Sequence, residues 1–169
     1  MKSLLLLRHA KSIEKETSVS DKMRPLTDRG KYDIYKMTKF LKNNKLIPSL
    51  IISSSAKRAK DTSNLLAESI GYNKNIHLSE LLYGTDANHY RHVISEISDN
   101  IDILLLVGHN PILENLIELI TNELIIMETC SLVHIVLPIT TWREIKTNPN
   151  GELIKLVTIN ELILQDTKL

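Results

Sequence analysis

Four consecutive leucines, Leu4 to Leu7, run directly into Arg8, His9, Ala10 and Lys11, and this junction constrains the fold more than any other stretch of the chain. The run is far too short to cross a membrane and too apolar for a sheet face in water, so it reads as a strand covered on both sides. Such strands belong to open α/β sheets, whose ligands gather beyond the carboxyl ends of the strands. Arg8 and His9 stand at that end. The pattern returns from Ile101 to Val107, an almost wholly apolar run closed by Gly108, His109, Asn110 and Pro111. A shorter version is Leu50-Ile51-Ile52, which passes into Ser53-Ser54-Ser55.

Amphipathic helices separate these strands. Ile13 to Arg24 is polar and aperiodic, a loop expected over the end of the first strand. Thr27 is the expected N-cap of a helix with Ile34, Met37 and Leu41 on one face, and Pro48 bars its continuation. After the second strand, Ala59, Thr62, Leu66 and Ile70 recur at helical spacing, and Gly71 is placed to end that helix. A third short strand is expected near Ile76 to Leu78, followed by a loop from Glu80 to Thr85. Asp86 then caps a helix carrying Tyr90, Val93, Ile94 and Ile97. Asn110 at an N-cap with Pro111 in the first helical position begins another, with Leu113, Leu116, Ile117 and Ile120 as its buried face. The remainder reads as strands at Leu132 to Leu137, Thr141 to Lys146 and Leu153 to Ile159, with a turn from Asn148 to Gly151. The expectation is an α/β fold in three layers, α/β/α, with a mostly parallel sheet and antiparallel terminal strands.

Composition sets bounds on this reading. At 169 residues one domain, spanning 1–169, is expected. A hydrophobic share of 43% with 24% charged residues is ordinary for a soluble globular chain, and no apolar run approaches the roughly eighteen residues of a membrane helix. The net charge of +1 provides no general field for nucleic acid or an anionic membrane, so neither is expected as a partner and any anion must be held by a local cluster. The amino terminus faintly imitates a signal peptide but has too short an apolar part and no cleavage site, and the single cysteine, Cys130, has no partner for an internal disulfide. Both favour the cytoplasm.

Three strand ends thus present Arg8-His9, Ser53 to Arg58 and Gly108-His109 to one rim. Two arginines and two histidines converging there describe an anion site, most naturally for a phosphoryl group, because guanidinium forks match phosphate oxygens and helix N-termini add N–H groups. Four segments carry a resemblance. Arg8-His9-Ala10-Lys11-Ser12, Arg24-Pro25-Leu26-Thr27-Asp28-Arg29-Gly30, the run from Ser53 to Thr62, and Val107-Gly108-His109-Asn110-Pro111 together resemble the histidine phosphatase superfamily, and within it the small SixA-type phosphohistidine phosphatases.

The resemblance implies a phosphoglycerate mutase-like fold and a cofactor-independent phosphatase, with no metal. It implies that His9 takes the phosphoryl group as the nucleophile and is transiently phosphorylated. Arg8 and Arg58 would bind phosphoryl oxygens, and His109 would donate to one of them, as a neutral or cationic ring. Many members place a carboxylate acid in the loop after the third strand. Glu80 stands at that position here, ahead of Asp86, although SixA-type members often lack a dedicated acid. The expected substrate is a phosphorylated histidine-containing protein or a small phosphorylated molecule. A phosphoglycerate mutase-type isomerase and a non-catalytic phosphate binder are the alternatives. The mutase is disfavoured because Arg58 to Glu80 holds no long substrate-binding insertion, and the binder because all four site residues are present.

Other residues were weighed on both sides. Arg24 reaches over the pocket if its loop folds back, and is otherwise a solvated arginine. Ser12 and Ser53 are turn and strand-end hydroxyls, one of them a candidate phosphate ligand. Lys57 and Lys60 read as a solvated helical turn from which only Arg58 points inward. His89 and His92 lie three apart on a helix without a carboxylate or cysteine to complete a metal site. Cys130 lacks the arginine six residues on that a cysteine phosphatase needs, since Val136 stands there, and Trp142 reads as strand packing. The oligomeric state stays open, with Thr141 to Ile159 as a candidate edge for pairing with another copy.

Overall fold

A computed structural model describes residues 1–15, 18–84 and 86–166 of the chain. The leucine run forms β1 (Lys2–Arg8), which lies inside a six-stranded sheet with β2 (Leu50–Ser54), β3 (His77–Ser79), β4 (Ile103–Gly108), β5 (Leu132–Leu137) and β6 (Glu152–Val157). The strand order is β3-β2-β4-β1-β5-β6. Strands β1 to β4 pair in parallel, while β5 runs antiparallel to both β1 and β6.

The side-chain period of two sends alternate leucines to opposite cores. Leu4, Leu6, Leu104 and Leu106 pack on one face with residues of α3 (Ala87–Ser95) and α4 (Ile112–Thr121). Leu5, Leu7, Leu105 and Val107 pack on the other with α1 (Asp28–Asn43), α2 (Lys57–Ile70) and a fifth helix, α5 (Ile159–Asp166). The result is the expected three-layer α/β/α arrangement. In the β1–β4 ladder Arg8 is paired with Gly108, so the two following residues, His9 and His109, leave adjacent strands side by side.

Helix α1 begins as expected, with the Thr27 hydroxyl accepting from Gly30 N–H at 3.1 Å. Gly30 is required there for a further reason. A Cβ on it would lie 2.3 Å from the Lys11 carbonyl oxygen, and this close approach clamps the base of the loop that follows β1. Thr27 N–H to Lys11 O at 2.9 Å and Ile13 N–H to Pro25 O at 3.0 Å close the same base.

Three boundary expectations are corrected. Thr141 to Lys146 is not a strand: Trp142–Lys146 is a 3₁₀ turn. Thr141 and Glu144 form a reciprocal capping box, and Trp142 is fully buried with its indole N–H donating to Ile101 O at 2.9 Å. The last strand stops at Val157, because Thr158 starts α5 by accepting from Glu161 N–H at 3.2 Å. Helix α4 begins at Ile112, with Pro111 rather than Asn110 in the cap position. The Asn110 amide is committed elsewhere: its Nδ2 donates to Met127 O at 2.9 Å and to Glu114 Oε1.

Candidate active site

The carboxyl end of β1 is fastened from several directions. Arg8 N–H donates to Ser131 O at 3.1 Å and His9 N–H to Gly108 O at 3.0 Å. Cys130 N–H reaches back to Arg8 O at 3.2 Å and His9 O at 3.1 Å from a left-handed turn with φ of 60°. Ala10 N–H donates to Thr62 Oγ1 at 3.0 Å, and that buried hydroxyl donates to Arg58 O at 2.6 Å. The first turn of α2 is therefore tied to the strand end that carries His9.

His9 is 7% exposed. Its Nδ1 donates to Ala10 O at 2.8 Å, and its Nε2 accepts from Arg58 Nε at 3.3 Å. That pair of bonds is satisfied by one tautomer, with the proton on Nδ1 and the lone pair on Nε2 directed at the guanidinium. Burial, followed by the positive charges of Arg58, Arg8 and Arg24, lowers the His9 imidazole to about 4. At neutral pH it is uncharged, with its lone pair on Nε2.

The His109 ring lies 5.1 Å from that of His9, centroid to centroid, and Tyr83 meets it edge-on at 5.8 Å. The Ser54 hydroxyl accepts from Ala56 N–H at 3.3 Å and has its own proton for His109 Nε2, 2.8 Å away. His109 Nδ1 is buried without a partner among the described residues. Burial, then the neighbouring His9 ring and the Arg58 guanidinium, lowers His109 to about 3, which favours the neutral ring over the cationic form the sequence left open. Gly108 places the ring. A Cβ there would stand 2.3 Å from the Tyr90 hydroxyl, which donates to Leu82 O at 2.7 Å and accepts from His109 N–H at 3.4 Å.

Three guanidinium groups surround the imidazoles. Arg8 donates from Nη1 to Met127 O at 2.7 Å, and its buried Nε has no partner among the described residues. Glu114 holds that carbonyl in place by accepting from Met127 N–H at 2.7 Å. Arg58 donates from Nη1 and Nη2 to the backbone oxygen and the carboxylate of Asp21, at 2.7 and 3.2 Å. Arg24 folds back to Ile13 O at 2.8 Å and Ser12 Oγ at 3.4 Å. Arg8, His9, Ser12, Arg24, Arg58 and His109 line one cleft of about 590 Å³, with Lys11, Asn110 and the exposed Glu14 and Glu128 on its walls.

Glu80 is placed differently. Its carboxylate is 70% exposed, lies outside that cleft lining, and pairs with Lys22 at 2.7 Å. The hydrogen bond from Lys22 holds it below the usual carboxylate range. Asp86 is committed to capping α3, accepting from Asn88 N–H at 2.8 Å. His89 and His92 are exposed, Cys130 is fully buried, and among the described residues no group of three or more His, Cys, Asp or Glu is placed to hold a metal. Sequence reasoning missed Asp21, Tyr83, Thr62 and Ser54. Asp21 stands three residues before Arg24, but only the folding of the loop brings that carboxylate to Arg58, thirty-seven positions away.

Comparison with known proteins identifies a family and a fold. The model of the histidine phosphatase superfamily (branch 1) matches residues 4–105, a span that includes Arg8, His9 and Arg58 and ends before His109. An uncharacterised chloroplastic protein of Arabidopsis thaliana is 31% identical over 137 residues, covering 76% of this chain and 63% of the relative. The chain thus spans under two thirds of that relative's length. Among solved structures, the protein histidine phosphatase SixA complexed with tungstate superimposes with a TM-score of 0.78 at 18% identity, over 95% of this chain and 99% of the other. A mycobacterial glucosyl-3-phosphoglycerate phosphatase does so with a TM-score of 0.69 at 16% identity, over 90% and 97%. Both likenesses are of fold.

Proposed function

Because this chain belongs to the histidine phosphatase superfamily, we propose that it is a cofactor-independent phosphatase, one domain spanning 1–169, that transfers a phosphoryl group to His9 Nε2 and then to water. The observation that carries the reading is the tautomer of His9: Nδ1–H is anchored on Ala10 O, and the opposite lone pair faces the Arg58 guanidinium inside a cationic cleft. A loose phosphoryl-transfer transition state asks for alignment and charge stabilisation, and this arrangement supplies both. Arg8 and Arg58 hold the phosphoryl oxygens in this reading, the unpartnered His109 Nδ1–H donates to a third, and Arg24 with Ser12 closes the outer side.

The preferred substrate is a phosphorylated histidine, with a phosphomonoester as the slower class. Among the described residues, the carboxylates that line the cleft, Glu14 and Glu128, are exposed, and Glu80 is paired away with Lys22. An alkoxide leaving group needs an acid poised beside it. A phosphorylated imidazole protonated on its second ring nitrogen, the cationic form, brings its own proton. When His9 Nε2 attacks, the P–N bond breaks, its electron pair stays with the departing ring, and that ring leaves neutral. His9 takes up the phosphoryl group and the positive charge, with Nδ1–H still held by Ala10 O. Water then attacks phosphorus and His9 is released neutral. The transfer exchanges one imidazole for another, and the exchange is nearly symmetric. A soluble, cytoplasmic phosphohistidine protein fits this reading as partner.

The test is phosphate release from a histidine-phosphorylated protein and from a chromogenic phosphomonoester, with acid-labile phosphate sought on the enzyme during turnover. The parent should release phosphate and carry the label, and His9→Ala should do neither. Equal rates in the two proteins would end the proposal, and faster isomerisation than hydrolysis of a phosphoglycerate would point to the mutase.

A further inference from the structure

Asp21 belongs to a short 3₁₀ turn in the loop after β1, and its carboxylate lies between two of the three arginines of the cleft. Oδ1 accepts from Arg24 Nε at 3.1 Å, and Oδ2 accepts from Arg58 Nη2 at 3.2 Å and from the Tyr83 hydroxyl at 3.0 Å. Its backbone oxygen takes Arg58 Nη1 at 2.7 Å. With Nε engaged on His9, Arg58 keeps one N–H on each terminal nitrogen, and both are turned by the grip of Asp21. The adjacent Lys22 pairs with Glu80, so this turn is tied to the loop after β3 as well.

We propose that Asp21 is a positioning residue: by bridging the Arg58 and Arg24 guanidinium groups it sets the direction in which both meet the transferring phosphoryl group. The proposal rests on the reading of His9 as nucleophile. Asp21 does not serve as the acid. Burial alone would raise its carboxyl, but the Tyr83 hydroxyl and the two arginines outweigh burial and hold it below the usual carboxylate range. Its negative charge also opposes the incoming anion and competes for the same N–H groups. Asp21 therefore exchanges ground-state affinity for orientation, which favours transfer over retention of the product phosphate.

This split separates positioning from simple scaffolding. Asp21→Asn keeps the shape, removes the charge, and offers one carbonyl oxygen where two carboxylate oxygens served two guanidiniums. In the full chain it should lower kcat on a chromogenic phosphomonoester by about 10- to 100-fold, while inorganic phosphate binds about three- to ten-fold tighter by titration calorimetry. Asp21→Glu, which restores the charge one methylene further out, should recover part of kcat and return phosphate affinity toward the parent. A kcat within two-fold of the parent in Asp21→Asn overturns the proposal. So does phosphate binding that weakens in step with kcat, the signature of a damaged scaffold. If the parent releases no more phosphate than His9→Ala, the function reading fails separately. Phosphate affinity then decides for Asp21, tighter binding in Asp21→Asn supporting the bridge and unchanged or weaker binding overturning it.

Discussion

His9 and His109 are each at most 7% exposed, and among the described residues neither has a carboxylate as hydrogen-bond partner. Burying a neutral imidazole beside guanidinium groups has a thermodynamic consequence beyond the reaction. The folded protein holds these rings at about 4 and about 3, whereas an unfolded histidine titrates near 6.5. Between those values the unfolded chain binds more protons, so stability is full above pH 6.5 and declines as pH falls through the window toward 4 and 3. Thermal melts from pH 8 to pH 4 should show this decline, and a His9→Gln, His109→Gln double variant should show a shallower one. The same slope in both proteins would mean that the loss comes from other groups, the carboxylates and the half-buried His134, which burial also lowers.

At the scale of elements, the site depends on how strand ends meet helix starts. Gly108 ends β4 against the Tyr90 hydroxyl of α3, a contact that admits no side chain. Gly108→Ala should therefore displace either the tyrosine or the strand end that carries His109, lowering both melting temperature and phosphatase activity. Adding Tyr90→Phe removes the atom that a Cβ would meet at 2.3 Å but leaves ring carbons at 2.9 and 3.0 Å, so rescue should be partial. A double variant no better than the sum of the single changes would show that this contact does not position His109. The same scale shows where sequence reading went astray. Thr141, Trp142 and the residues around them have the composition of a strand, yet Thr141 with Glu144, and Thr158 with Glu161, carry the Thr-x-x-Glu signature of a helical start. In both places the local hydrogen bonds prevailed over β-propensity.

Across the whole molecule, the cationic cleft is assembled from segments that only the sheet brings together. Arg8 comes from the end of β1, Arg24 from the loop that folds back over it, Arg58 from the first turn of α2, and His109 from the end of β4. In the proposed reaction three guanidinium groups provide the charge that a phosphoryl transition state needs. Incubation with excess EDTA should accordingly leave phosphate release unchanged; activity lost to the chelator and restored by a divalent cation would contradict this mechanism.

What the sequence determined by itself was the layered architecture and which residues were candidates for the site. A leucine run buried on two faces has few alternatives to a central strand, and a polar residue directly after such a strand must emerge at the sheet rim where ligands bind. Arg8, His9 and His109 were legible for that reason, Arg58 because it opens the helix after the second strand, and the helices between them from their periodicity. Tertiary structure alone decided the strand order, the neutral tautomers, the removal of Glu80 to a surface ion pair, and the placing of Asp21 across two arginines. Each depends on which chain-distant groups come within hydrogen-bonding distance, and on how much water is excluded when they do. A spacing along the chain carries neither quantity, because both are set by the packing of the sheet, helices and loops.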